Sequence, residues 1–213
     1  LQLQAEMTEE FGACVFDVTL DCEDGAPVGG EAEHAAMVVA LALEAPDNAR
    51  VAVRVHPVEH PSFFHDMALI AGKAGDRLTH IMVPKVESVR DVIQAEKALL
   101  RASAGHLPLH VLIESPAAVH RAFEIASHPR VQSLSFGLMD FVSAHGGAIP
   151  SAGMGVVGQF THPLVVRAKL EIASACHAHG KVPSHCVVTE FSDPEALSAA
   201  ALKAANELGY MRM

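Results

Sequence analysis

Two acidic residues sit at the ends of short apolar runs. Glu114 closes Val111-Leu112-Ile113-Glu114, and Asp140 follows Ser135-Phe136-Gly137-Leu138-Met139. If the runs are consecutive parallel strands, their ends are neighbours in space. Two carboxylates there can share one hard divalent cation, with waters and substrate oxygens completing the shell. That is the manner of Mg²⁺, which takes few protein ligands. Either acid alone could instead sit near a helix N-terminus and favour its dipole. The pair, with an arginine expected on the same rim, points to a metal.

The arginine is Arg54, inside the apolar run Val51-Ala52-Val53-Arg54-Val55. A guanidinium in that setting needs an anionic partner. One reading is an ion pair with Asp21 or Asp24. The other is recognition of a substrate carboxylate or a developing enolate oxygen. Asp21-Cys22-Glu23-Asp24-Gly25 is an acidic turn without the EF-hand pattern. Its acids suit hydrogen bonding to metal-bound water. Lys85, in Pro84-Lys85-Val86-Glu87, has an acid close by, which favours an ion pair over a Schiff base. His177, His179, His185 and Cys186 make a poor zinc set, because residues two apart leave a helix on different faces.

These residues need elements to hold them. Strand-like runs span 13–20, 51–55, 80–83, 109–113, 131–136 and 181–184. Helical patterns span 31–44, 63–73, 89–104, 117–127, 163–179 and 194–208. Pro163 and Pro194 suit first turns, Thr161 and Asp193 lie near the caps, and Gly180 and Gly209 sit where helices should stop. Strands alternating with helices imply a parallel sheet covered by helices, and the near-continuous apolar runs suit strands buried on both faces. The chain has no G-x-G-x-x-G after its first strand and no P-loop. Gly146-Gly147 and the glycines after it read as a flexible loop. The βα period allows a doubly wound open sheet or a (β/α)8 barrel. Six βα units are present, and Tyr210-Met211-Arg212-Met213 resembles the first residues of another strand. One domain over 1–213 accommodates them.

Composition narrows the partners. The chain has 213 residues, 50% hydrophobic and 19% charged, which excludes disorder. Twenty-five acids against fifteen Lys and Arg give a net charge of −10. No basic cluster exists to meet a nucleic-acid backbone. The longest apolar runs, such as 37–43, are too short to span a membrane. Four cysteines without a C-x-x-C pair read as reduced thiols of a cytoplasmic protein.

These stretches, in this order, resemble the HpcH/HpaI aldolase/citrate lyase family, and its citrate lyase β-subunit-like branch best. Leu20-Asp21-Cys22-Glu23-Asp24-Gly25 matches the family's D-L-E-D segment, and Val53-Arg54-Val55 its R-V-N strand. Ile81-Met82-Val83-Pro84-Lys85-Val86-Glu87-Ser88, Leu112-Ile113-Glu114-Ser115 and Phe136-Gly137-Leu138-Met139-Asp140-Phe141 follow. The resemblance implies a (β/α)8 TIM-type barrel and Mg²⁺-dependent cleavage or formation of a C–C bond beside a carbonyl. The substrate would be citryl-CoA, malyl-CoA, a related 3-hydroxyacyl thioester, or a hydroxy or oxo acid. By position, Glu114 and Asp140 would be the metal ligands. Arg54 and Glu114 would contact substrate oxygens, and Arg54 would stabilise the enolate. Glu23 and Asp24 would organise the metal's waters, and either is a candidate base. A homotrimer or homohexamer is the implied assembly. His56 replaces the Asn of R-V-N, Ala117-Ala118 stands where a basic residue often follows, and the family's first and last strand segments are missing. The natural chain is therefore expected to extend beyond both ends. A pyruvate-type class II aldolase of the HpaI branch and a non-catalytic barrel subunit are the alternatives; the acidic turn favours the lyase branch.

Overall fold

In a computed structural model, residues 1–190 and 192–213 are described. The chain divides into two compact units, Leu1–Pro84 with Ile93–Leu109, and Lys85–Val92 with His110–Met213. Strand order follows chain order, β1-β2-β3-β4-β5-β6.

The first unit opens with helix α1 (Gln2–Phe11) and strand β1 (Val18–Asp21). β1 starts later than the apolar run suggests. The Phe16 carbonyl is taken by the Gln4 side-chain amide at 2.7 Å, so residues 13–17 lie outside the ladder. Helix α2 (Glu31–Glu44) carries Glu31 and Glu33 in its first turn, where acids meet the helix dipole favourably. Strand β2 (Val51–Arg54) pairs in parallel with β1, Asp21 opposite Arg54. The expected helix 63–73 is a composite: α3 (Phe63–Asp66), a π-helical turn (Met67–Ala71), α4 (Gly72–Ala74) and a 3₁₀ turn (Gly75–Arg77). Buried Phe63, Asp66, Met67, Ile70, Ala71 and Ala74 keep helical spacing through these changes, so apolar periodicity alone does not reveal them. Strand β3 (Leu78–Val83) pairs with β2, and helix α5 (Val89–Arg101) begins beyond it. Val53, Ile70, Ile81 and Leu99 are fully buried in this unit.

The second unit holds β4 (Leu109–Ile113), which starts at the boundary, then α6 (Pro116–His120), α7 (Ala122–Ser127) and β5 (Val131–Phe136). Arg121, at φ −99°, breaks the single helix expected over 117–127. Its guanidinium donates to the Glu87 carbonyl at 3.0 Å. A short helix, α8 (Leu138–Ser143), follows β5 at once. Two 3₁₀ turns lead to α9 (Pro163–Ala178), β6 (Val182–Ser184) and α10 (Pro194–Leu208). Asp193 caps α10 by accepting from the Glu195 and Ala196 amides at 3.1 and 3.0 Å. Thr161 does not cap α9: His162 holds that position, and the Thr161 hydroxyl donates to the Val157 carbonyl at 3.0 Å. Gly209 ends α10 at φ +74°, a conformation cheap only for glycine. Arg212 then forms a parallel bridge to Ser184, as the strand-like ending suggests. β5 and β6 are parallel, with Leu134, Ile125 and Ile172 among the fully buried side chains.

Candidate active site

The first unit gathers three acids around one guanidinium. Arg54 Nε and Nη2 donate to Asp21 Oδ1 and Oδ2 at 2.6 and 2.5 Å, a bidentate pair that fixes the guanidinium plane. Arg54 Nη1 lies 2.9 Å from Glu23 Oε2 and 3.7 Å from Asp24 Oδ2. Asp21 also folds the turn, accepting from the amides of Glu23 at 3.0 Å and Gly25 at 2.8 Å. Residue 25 must be glycine, since a Cβ there would lie 2.6 Å from Asp21 Oδ2. Burial pushes the Asp21 carboxyl up, but the Arg54 guanidinium and the two amides outweigh it and leave it below the usual range. The Asp21 bonds raise Arg54 above its ordinary value against the effect of burial, with Glu23 and Asp24 adding to the rise. Burial, then the charges of Asp66 and Asp21, push the Cys22 thiol up to about 12.

The ion-pair reading of Arg54 is thus the observed arrangement, with Asp21 the main partner. The charges sum to −2 when all four groups are ionised. Glu23 is nearly covered and Asp24 is exposed, so Asp24 is the acid open to solvent and its ions.

In the second unit the site is built on strand ends and one lysine. Glu114 follows β4 directly and is buried. Its Oε2 accepts the Lys85 backbone N–H at 2.6 Å. Lys85 sits at φ +52°, a left-handed conformation uncommon outside glycine. A Cβ on Gly137 would collide with the Glu114 carboxyl, so glycine at that position leaves room for the carboxylate. Asp140 lies in the first turn of α8. The Lys85 ammonium stands 3.6 Å from Asp140 Oδ2, with both side chains about 40% exposed. Lys85 therefore touches both acids, one through its backbone and one through its side chain. Around this core, the Ser115 hydroxyl accepts from the Ala118 amide at 3.0 Å and donates to Glu87 Oε2 at 2.8 Å. Glu87, the sequence neighbour expected to pair with Lys85, thus bonds Ser115.

The donor set fits Mg²⁺. Glu114 and Asp140 offer hard oxygens, a small residue leaves room at one of them, and a lysine ammonium supplies positive charge at the other. Among the described residues no group of three or more His, Cys, Asp or Glu could hold a metal, so water would complete the shell. The zinc set does not gather: His177 Nε2 bonds the Gly209 carbonyl at 2.7 Å, while His185 Nδ1 lies 2.9 Å from the Cys186 carbonyl.

Sequence reasoning missed two features. Helix α8 shows only in the spacing of Leu138, Phe141 and Val142, which is short but helical. The pairing of His56 with Asp66, 2.6 Å apart, spans a loop and leaves no signal in periodicity.

Parallel strands in chain order, with acids just past their C-terminal ends, are the marks of a TIM-type α/β enzyme. The family description "HpcH/HpaI aldolase/citrate lyase" matches residues 2–210, and the chain belongs to that family of lyases. L-malyl-CoA/β-methylmalyl-CoA lyase of Cereibacter sphaeroides is 32% identical over 92% of this chain and 67% of its own length. A citrate lyase subunit β-like protein of Deinococcus radiodurans is 32% identical over 91% of this chain and 64% of that one. The crystal structure of a citrate lyase from Burkholderia xenovorans LB400 superposes with a TM-score of 0.89 at 46% identity, over 100% of this chain and 68% of that one. The citrate lyase β subunit of Mycobacterium tuberculosis, in complex with oxaloacetate and magnesium, has a TM-score of 0.73 at 24% identity, over 99% and 84%. The fold is the TIM-type α/β fold of these proteins, with six strands among the described residues. No helix among the described residues is long and apolar enough to cross a membrane.

Proposed function

We propose that the protein is a Mg²⁺-dependent carbon–carbon lyase acting on a 3-hydroxyacyl thioester of the malyl-CoA or citryl-CoA type, or on the corresponding hydroxy or oxo acid. The observation that carries this reading is the link Glu114–Lys85–Asp140, a 2.6 Å amide contact and a 3.6 Å ion pair at the ends of consecutive strands. Relatives named malyl-CoA lyase, and a fold neighbour holding oxaloacetate and magnesium, support it.

Glu114 and Asp140 would hold the cation. Bound there, Mg²⁺ supplies Lewis acidity toward the carboxylate and hydroxyl or carbonyl oxygens of the oxo-acid half. The Lys85 amide orients Glu114, and its ammonium offsets charge at Asp140 until a cation replaces it. Arg54, its plane set by Asp21, presents its remaining N–H groups to substrate oxygens and to the enolate that leaves. Glu23 and Asp24 order water beside it. The substrate hydroxyl loses its proton, the C–C bond breaks, and the acyl half leaves as an enolate that is then protonated at carbon. We place this chemistry in a single barrel domain of a cytoplasmic homotrimer or homohexamer.

The test is cleavage of malyl-CoA and citryl-CoA with and without Mg²⁺, by wild type and by Glu114→Gln and Asp140→Asn. Metal-dependent cleavage lost in both variants, with the fold intact, supports the assignment. Full activity in either variant overturns it. Condensation of pyruvate with aldehydes instead of thioester cleavage would identify an HpaI-type aldolase. Inactivity on every substrate, with no thermal shift from Mg²⁺ and oxalate, would identify a non-catalytic subunit.

A further inference from the structure

Lys85 holds both carboxylates assigned to the metal, and holds them differently. Its backbone N–H donates to Glu114 Oε2 at 2.6 Å, and its ammonium stands 3.6 Å from Asp140 Oδ2. The backbone contact is fixed. Glu114 is buried, and the φ of +52° at Lys85 commits the chain to one direction there. The side-chain contact is loose. Lys85 and Asp140 are each about 40% exposed, and 3.6 Å exceeds the usual length of a charge-assisted hydrogen bond. Glu114 is therefore the closed side of the pair, and the side where Asp140 meets the ammonium is open to solvent.

An ammonium against Asp140 repels a dication bound to the same carboxylate. The Lys85 side chain must give way when the cation arrives. It does not leave the site, because its backbone stays tied to Glu114 and the ammonium swings on its four-carbon stem from that point. The charge of the site also changes sign. Two carboxylates and one ammonium sum to −1 when ionised, and a dication turns that to +1. The open side thus passes from repelling a carboxylate to attracting one. We infer that Lys85, freed from Asp140 when the metal site fills, binds the free carboxylate of the substrate's oxo-acid half. This rests on the lyase reading above. A malyl thioester carries one free carboxylate, and it lies on that half. The carboxylate accepts a charge-assisted hydrogen bond from the Lys85 ammonium. Metal and oxo acid then bind in order, metal first, and each favours the other. Lys85 moves no proton. It strengthens substrate binding equally before and during bond cleavage, so it sets affinity and leaves the rate from the bound state alone.

The experiment compares wild type with Lys85→Met, which keeps the backbone N–H and the side-chain length without the charge, and with Lys85→Arg, which keeps the charge. Mg²⁺ is titrated first, by calorimetry, and Lys85→Met should bind it more tightly than wild type. Once saturated with Mg²⁺, Lys85→Met should bind oxalate about tenfold more weakly than wild type. Acetohydroxamate, a chelator without a carboxylate, should bind both proteins alike. With malyl-CoA, KM should rise about tenfold and kcat stay unchanged, the mark of lost uniform binding. Lys85→Arg should recover most of that loss. A lysine with a merely structural role would not tighten the metal and loosen the oxo acid together. Unchanged oxalate affinity in Mg²⁺-loaded Lys85→Met would overturn the inference and leave the metal site standing. A wild type that binds no Mg²⁺ and cleaves no hydroxyacyl thioester would overturn the lyase reading itself. If Lys85→Met does not fold, wild type labelled with ¹⁵N-lysine decides, read at the side-chain signal that Lys85→Arg removes. A shift of that signal when oxalate joins the Mg²⁺-loaded protein supports the inference, and no shift refutes it.

Discussion

The Lys85 amide holds Glu114 Oε2 at 2.6 Å from a backbone at φ +52°, while the same residue's ammonium reaches Asp140. A left-handed non-glycine residue costs about 1–2 kcal/mol, and here it aims an N–H at a carboxylate. Lys85→Gly should therefore be about 1 kcal/mol more stable than Lys85→Ala, measured by urea denaturation. Both should bind Mg²⁺ more tightly than wild type, by a factor of about 2–5, since a half-exposed ion pair is worth up to about 1 kcal/mol. Titration calorimetry reads this, and unchanged affinity would detach Lys85 from the metal site.

Gly137 is the position where the smallest change should do most harm. Its added Cβ would meet the Glu114 carboxyl, and the Gly137 N–H already holds the Ile113 carbonyl at 3.0 Å, which limits backbone retreat. Gly137→Ala should lose about 1–3 kcal/mol of stability together with Mg²⁺ binding. A thermal melt with and without Mg²⁺ checks both.

Asp21 sets an acid limit on stability. Its folded-state carboxyl lies below the usual range, so its contribution is present above the unfolded value of about 4 and is lost as pH falls through the folded one. Asp21→Asn should cost about 1.5–3 kcal/mol at pH 7, the scale of hydrogen bonds to a charged group. The difference from wild type should shrink below about pH 4.

Lys169 predicts the opposite slope. It is fully buried, donates to Gln159 Oε1 at 3.1 Å and lies 4.0 Å from the Phe160 ring centre. Burial lowers its pKa to about 8. Below that value both folded and unfolded states are charged and the full burial cost stands. Between about 8 and 10.5 the folded state alone sheds its proton and stability rises relative to an uncharged residue. Lys169→Met should stabilise the protein by about 1–3 kcal/mol at pH 7, with the gain falling as pH climbs toward 10.

Most of the architecture was legible because burial on both strand faces leaves dense apolar runs: β4, β5, α2 and α10 have the bounds their patterns suggest. The residues that bear charge were legible for the same reason, since Arg54 and Glu114 interrupt or end such runs. Their partners were not. Asp66 looks like one more polar position in a helical stretch, and only the fold brings it to His56. The conformation of Lys85 was hidden as well, because a positive φ outside glycine has no composition to announce it.

One sulfur lies within the acidic turn itself. Buried, and facing the negative charges of Asp66 and Asp21, Cys22 keeps its proton to about pH 12. Oxidants and alkylating reagents attack thiolates, so burial, with the charges of Asp66 and of the Asp21 that grips Arg54, renders this cysteine chemically silent. Half-buried Cys14 is left as the handle for a spectroscopic label.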